Sequence, residues 1–308
     1  MTVGTVLVTG LGGLIGGAVA RRLTGLGRPL VGLDRMRPPG ATCPFEAHEL
    51  GDAHHLHEII RKHDVRSIVH AGGISGPMVL PGNPARVAEI NIMGLLDMLE
   101  AMRIHKLDRL VWFSTVNIYG ETDDPAPITE RAPRRPVTAY GASKLAGEGM
   151  LAAYRAEHGV DGVALRVSST YGPGRTSACF IRTLIENAAL DQPTRVPDAD
   201  QRTRQHIFVD DVAAATIAAL DRRRQQQLAY NIAPGAALTT ASVVAEVARS
   251  VPGIRIELAA DGMSWNSFRL GPLDISAARR DLGWEPRVSL AEGARRYAEW
   301  LNERDRAP

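Results

Sequence analysis

The sequence predicts an α/β protein built on a doubly wound parallel sheet, with a smaller C-terminal α/β lobe. Three observations carry that expectation. Short β-branched apolar runs alternate with stretches of helical spacing. A glycine triplet separates the first such run from the first helix. Glycine, serine, threonine and aspartate cluster where the runs end, at the carboxyl edge where sheets of this kind hold ligands.

The elements follow in order. "TVLVTG", Thr5 to Gly10, reads as a buried strand. Ile15, Val19 and Leu23 then recur every four residues, and Gly25 and Gly27 mark the end of that helix. Between them Gly10, Gly13 and Gly16 stand in the pattern G-x-x-G-x-x-G, with Leu14 and Ile15 inside it. Glycine permits a positive φ and a close approach of backbone to a ligand. The helix N-terminus behind it offers free N–H groups to a pyrophosphate. "PLVGLD" is the second strand and ends on Asp34, near the expected offset from the glycines. An acid there accepts from adenosine ribose hydroxyls and repels a 2′-phosphate. NAD is therefore expected over NADP, although Arg35 stands beside the acid and partly offsets the repulsion.

Further strands are expected at Ser67 to Gly73, Asp108 to Thr115 and Gly162 to Gly172, the last ending in Ser168, Ser169 and Thr170. Helical stretches lie between them, at 85–105 and around Tyr140. After about residue 172 the chain becomes rich in Pro, Gly and Arg. The dinucleotide-binding (Rossmann) domain is accordingly placed at 1–171 and 205–235, and the substrate-binding lobe at 172–204 and 236–308. A cleft between them is the expected substrate site.

Bulk composition narrows the function. The chain has 308 residues, 44% of them hydrophobic, enough for one large domain or two lobes. A net charge of +2 gives no electrostatic case for nucleic acid or an anionic membrane. The arginine runs at 222–224 and 279–280 read as solvated helix surface. Cys43 and Cys179 stand in no metal or redox spacing, so no metal site is expected and a reducing cytoplasm fits. No apolar run approaches the length of a membrane span, and the N-terminus lacks the pattern of a signal peptide.

Tyr140 and Lys144 lie one helical turn apart in "YGASK" and share a helix face. Such a pair is ordinarily solvated surface. It acquires a chemical meaning only beside a cofactor site, which the glycine loop and Asp34 supply. An ammonium and the positive nicotinamide of oxidised cofactor then lower the phenol's pKa and make it a usable base.

These segments together resemble the extended short-chain dehydrogenase/reductase superfamily, in its NAD-dependent epimerase/dehydratase branch. The resemblance runs nearly end to end: "TGLGGLIG", "GD" at Gly51 and Asp52, "HAGG" from His70, "NIMG" from Asn91, "FSTVNIYG", "YGASK", "LRVSSTYGPG", "HIFVDDVAAA", "YNIA" and "LGWEPRVSLAEG". It implies that Tyr140 is the general acid/base, Lys144 its helper and ribose contact, and Thr115 the holder of the substrate hydroxyl. Ser114 is the alternative hydroxyl. It implies cofactor contacts from Asp52 to the adenine and from Ala71, Gly72, Gly73, Asn91, Ser114 and Val167, with Asn91 also bonding backbone near the active site. His70 reads as a packed histidine.

The resemblance leaves three reactions. Dehydratases of this branch carry Asp-Glu after the active-site Thr; here Val116 and Asn117 stand there, and valine moves no proton. An epimerase of a nucleotide sugar or sugar is expected, with a dehydrogenase of a small sugar or sugar acid as the alternative. A catalytically silent NAD-binding sensor is a further class, against which Thr115, Tyr140 and Lys144 all speak. Substrate contacts are expected from Ser75 in the loop 72–84, Thr115, Asn117, Ser169, and the arginines Arg175, Arg204 and Arg269. Arginine forks hold diphosphates and carboxylates alike, so the identity of that anion stays open. Ser169 stands where nucleotide-sugar enzymes of the branch usually carry Asn. Apolar residues on more than one face of the two helices (Met93, Leu96, Met98; Leu145, Met150, Leu151) imply the homodimer of relatives.

Overall fold

A computed structural model of the chain describes residues 4–76, 79–122, 124–197, 203–222, 226–259 and 269–305. In chain order, strand β1 (Thr5–Thr9) leads into helix α1 (Leu14–Gly25), then come β2 (Leu30–Asp34), β3 (Phe45–Ala47), α2 (Ala53–Lys62) and β4 (Val65–His70). They are followed by α3 (Pro84–His105), β5 (Arg109–Thr115), α4 (Ala139–His158) and β6 (Gly162–Val167). The second half holds β7 (Ser169–Tyr171), α5 (Phe180–Ala189), β8 (Thr194–Val196), β9 (Thr203–Arg204), β10 (His206–Phe208), α6 (Val209–Asp221) and β11 (Ala229–Ile232). It closes with β12 (Leu238–Thr239), α7 (Thr240–Ala248), β13 (Ile256–Leu258) and α8 (Leu290–Asp305).

The main sheet is parallel and ordered β11-β6-β5-β4-β1-β2-β3. The order reverses between β1 and β4, so the carboxyl ends of those strands open a crevice. Every residue of β5 and β6 is buried, as a strand covered on both faces requires. One face packs on α1 and α6 through Val19, Leu23, Val212 and Ala215; the other packs on α2, α3 and α4 through Leu56, Leu95, Met98 and Leu151.

Two departures from expectation bear on the site. The strand expected at 162–172 is broken. Val167 ends its run in the main sheet, and Ser169–Tyr171 leaves to pair in parallel with β10. The Ser168 amide still donates to Ile232 of β11, so the break is a sharp departure at one residue. β3 was not anticipated; three residues without a β-branched run carry little signal.

The chain returns to the main sheet at β11, which pairs with β6. The segments 172–204 and 236–308 are stitched to each other, with β8 on β13, β9 on β12, and α5, α7 and α8 around Phe180, Leu184, Val243, Val247 and Tyr297. Of the arginine runs, Arg222 caps the end of α6 and is exposed, Arg279 and Arg280 sit on an exposed π-helical turn, and residues 223–224 lie outside the described residues.

Candidate active site

A single cleft of about 1070 Å³ runs across the carboxyl ends of β1, β2, β4, β5 and β6 and onward to α5 and β10. Its first wall is the glycine turn. Gly10 holds φ +67, and a side chain there would meet Ala71 and Gly72 backbone at 2.7–2.8 Å. The Thr9 hydroxyl pins that facing loop, accepting from the Gly72 amide at 2.9 Å and bonding His70 Nδ1 at 2.7 Å. His70 is thus the packed histidine that was expected. Burial pushes its pKa down to about 3, with Lys144 adding to the effect.

Gly13 begins α1 with no side-chain cap, and no acid occupies the first turn. That end therefore presents free N–H groups and a positive dipole end to the cleft. At the neighbouring strand end, Asp34 accepts from the Gly12 amide and from the Arg35 amide, each at 2.8 Å. A glycine cradle that a Cβ would fill, an uncapped helix N-terminus and a fixed carboxylate together fit a dinucleotide. The buried Ser168 hydroxyl, which finds no partner among the described residues, lines the same cleft.

The reactive group lies farther along. Thr138 caps α4 by accepting from the Gly141 amide at 3.0 Å. Gly141 lets this end sit against the Asn117 carbonyl, where a Cβ would approach to 2.7 Å. α4 thereby brings Tyr140 to the end of β5, where the Thr115 hydroxyl acts on its phenol. Lys144, one turn on, is 6% exposed, with Nζ 4.9 Å from the centre of the Trp112 ring. Desolvation lowers its pKa to about 8. Ser114 is settled by its partner: its hydroxyl donates to Glu148 at 2.7 Å, inside the protein. Glu148 is in turn held by Arg166 through Nε at 2.9 Å and Nη2 at 2.7 Å. The Ser114 hydroxyl is thus engaged with Glu148, while the Thr115 hydroxyl acts on Tyr140.

The lowered phenol expected for Tyr140 belongs to the cofactor-bound site. In the protein alone burial raises the phenol's pKa; the Thr115 hydroxyl and the Arg175 charge oppose that only in part. A lowered phenol would have to come from charge brought by a bound ligand.

Of the expected cofactor residues, Gly10, Gly13, Leu14, Ile15, Asp34, Arg35, Ala71, Gly72, Gly73, Ser114, Tyr140, Lys144 and Val167 line the cleft. Three do not. Gly16 faces the Gly10 carbonyl, so its bare Cα serves packing of helix on turn. Asp52 caps α2 by accepting from the His55 amide at 3.0 Å. Asn91 is buried, bonding the Ile74 amide at 2.8 Å and Ser143 at 3.1 Å, and so ties the loop after β4 to α4.

Of the expected substrate residues, Ser75, Thr115, Asn117, Ser169 and Arg175 line the cleft. Arg175 gives its guanidinium to the carbonyls of Thr170, Ser177 and Ala178. Arg204 and Arg269 are not in the lining. Arg204 is buried, stacked 4.2 Å over Phe180 and bonded to Thr240 at 2.9 Å. Arg269 is exposed, its carbonyl accepting from Thr122. Residues 176–180, His48 and His206 line the cleft without having been anticipated. Only the run of small polar residues before Phe180 carried any hint of this.

Comparison with known proteins agrees with this geometry. The family model described as "NAD dependent epimerase/dehydratase family" matches residues 6–233. A putative UDP-glucose 4-epimerase of Methanocaldococcus jannaschii is 27% identical over 98% of this chain and 99% of its own. The UDP-glucose 4-epimerase of Thermotoga maritima, solved with UDP-glucose, superposes with a TM-score of 0.88 at 25% identity, covering 97% of this chain and 99% of that one. The Thermus thermophilus UDP-glucose 4-epimerase, solved with NAD, gives 0.83 at 27% identity over 97% and 99%. The chain belongs to the NAD-dependent epimerase/dehydratase family of extended short-chain dehydrogenases/reductases, and is an NAD-dependent enzyme.

Proposed function

We propose that the protein is a nucleotide-sugar epimerase that inverts a carbinol centre by oxidising it and reducing it again. One observation carries the reading: Thr115 and Tyr140 line, with Lys144, the cleft that also contains the glycine cradle, and the Thr115 hydroxyl is close enough to act on the phenol. When bound, the oxidised nicotinamide supplies the hydride acceptor. The remaining work belongs to this chain. Thr115 orients the substrate hydroxyl toward Tyr140. Tyr140 takes its proton as the carbon is oxidised, and returns it when the carbonyl is reduced from the other face. Lys144, largely withdrawn from water and lining the same cleft, would hold the nicotinamide ribose. Val116 and Asn117 line the cleft where a water elimination would need a proton donor, and valine offers none.

The segments 172–204 and 236–308 form the substrate lobe in this reading. They are joined strand to strand, and residues 175–180 line the cleft. A reducing, cytoplasmic setting suits Cys43 and Cys179, which are free and buried. Homodimerisation through α3 and α4 is part of the same proposal. Met98 and Leu151 are core residues, Leu96, Leu145 and Met150 are partly buried, and Met93 is 49% exposed on the outer face. Sedimentation at micromolar protein is expected to show a dimer; monomer alone removes that element.

The test of the function is incubation with UDP-hexoses and catalytic NAD, followed by product stereochemistry, for wild type and Tyr140→Phe. The wild type is expected to invert one centre without net cofactor reduction. Tyr140→Phe is expected to lose about 10² to 10⁴ in turnover while still binding NAD. Stoichiometric cofactor reduction would identify a dehydrogenase instead.

A further inference from the structure

His206 is not needed by the chemistry just described, and its surroundings are unusual. It lies on β10, which pairs with β7 in parallel, with His206 opposite Ser169. Partners in this register share one face of the sheet, and both residues line the cleft. The imidazole is wedged between Phe180, nearly parallel at 6.2 Å between ring centres, and Tyr171, edge-on at 6.1 Å. Both ring nitrogens are buried, and neither completes a hydrogen bond with any described residue. The Ser169 backbone acts on the ring without completing a hydrogen bond to it. A buried polar group left unpaired costs about 1–3 kcal/mol, so a partner that arrives with the substrate is the economical explanation.

The chemistry of that partner can be narrowed. Burial, followed by the charges of Arg204 and Arg175, holds the imidazole neutral, with a pKa near 3. A neutral ring has one N–H and one bare nitrogen. With the N–H toward the Ser169 carbonyl, the bare nitrogen requires a hydrogen-bond donor. A carboxylate or phosphate has no proton to give; a sugar hydroxyl does. Position agrees: His206 lines the same cleft as Thr115 and Tyr140.

We propose that His206, with the Ser169 hydroxyl beside it, forms a neutral hydroxyl-binding subsite that selects an uncharged hexose over the corresponding uronate. This rests on the nucleotide-sugar reading and deepens it. The test compares kcat/KM for UDP-hexose and UDP-hexuronate in wild type, His206→Phe and His206→Gln, with NAD affinity and Tm as controls of folding. Phe keeps the stacked ring and deletes both nitrogens; Gln restores an acceptor. Wild type is expected to prefer the hexose. His206→Phe is expected to lose about tenfold in kcat/KM for the hexose, as for one lost hydrogen bond. Its uronate activity and NAD affinity are expected to stay unchanged, and His206→Gln is expected to recover part of the hexose loss. Unchanged hexose kcat/KM in a folded, NAD-binding His206→Phe would overturn the subsite, as would a wild-type preference for the uronate. Failure of the wild type to turn over any nucleotide sugar would instead overturn the functional reading beneath it.

Discussion

Gly16→Ala and Gly25→Ala place the same methyl group at two points of one helix, with opposite outcomes expected. At Gly16 the new Cβ would stand 2.7 Å from the Gly10 carbonyl carbon, closer still to its oxygen, and 3.1 Å from the Thr9 oxygen. Carbon atoms pack at about 3.5 Å, so helix and turn must separate by roughly 0.8 Å or more. The obstacle is backbone on both sides, so no side chain can rotate out of the way. Overpacking of this kind costs about 1–3 kcal/mol. It also draws the first turn of α1 back from the place where a pyrophosphate would meet its N–H groups. NAD affinity is expected to fall at least tenfold, with Tm lower by several degrees. At Gly25 nothing lies within 4 Å, so alanine is expected to be neutral or to stabilise by up to about 1 kcal/mol. Calorimetric NAD titration and thermal unfolding of the two variants decide the matter. A Gly16→Ala protein with wild-type affinity and Tm would refute the close-packing role assigned to this glycine.

Other perturbations follow from the same geometry. Lys144 falls to about 8 in the folded protein from an ordinary 10.5. Between those values the unfolded chain binds a proton that the native state does not, so stability rises with pH across that window. The wild-type advantage over Lys144→Met in urea unfolding is expected to grow from pH 8 to 10.5; a constant difference would contradict the buried lysine. Glu148→Ala leaves Arg166 buried without its carboxylate and is expected to cost about 3–5 kcal/mol. The double change with Arg166→Met is expected to cost less than the sum; simple additivity in denaturant titrations would argue against the coupling. Asp34→Asn is expected to weaken NAD and improve NADP relative to it, and an unchanged ratio in binding titrations would remove Asp34 from cofactor choice.

The fold was legible where local pattern and burial coincide. Val19 and Leu23 on α1, the apolar stretches of β5 and β6, and the glycine turn before α1 each announce themselves in a few residues. What escaped was decided by partners distant in sequence. The break at Ser168 is invisible in "LRVSSTYG" because β10, about forty residues later, draws Ser169–Tyr171 out of the main sheet. Arg204 stands in the expected segment, yet Phe180 and Thr240 determine where its guanidinium goes. Asp52 carries two compatible signals, an adenine contact and an Asp three residues before the amide it caps; in the structure its carboxylate meets the His55 amide. Ser114 and Thr115 are adjacent hydroxyls in sequence, and only the buried Glu148–Arg166 pair distinguishes them.

The central claim is that the cleft removes a hydride from a carbinol carbon and returns it to the opposite face of the same carbon. A nucleotide sugar deuterated at the carbon to be inverted tests it most directly. After turnover with catalytic NAD, the account predicts an epimer that retains its deuterium, without accumulation of reduced cofactor. An epimer whose deuterium has exchanged with solvent, or deuterium accumulating in reduced cofactor beside a keto product, would contradict it.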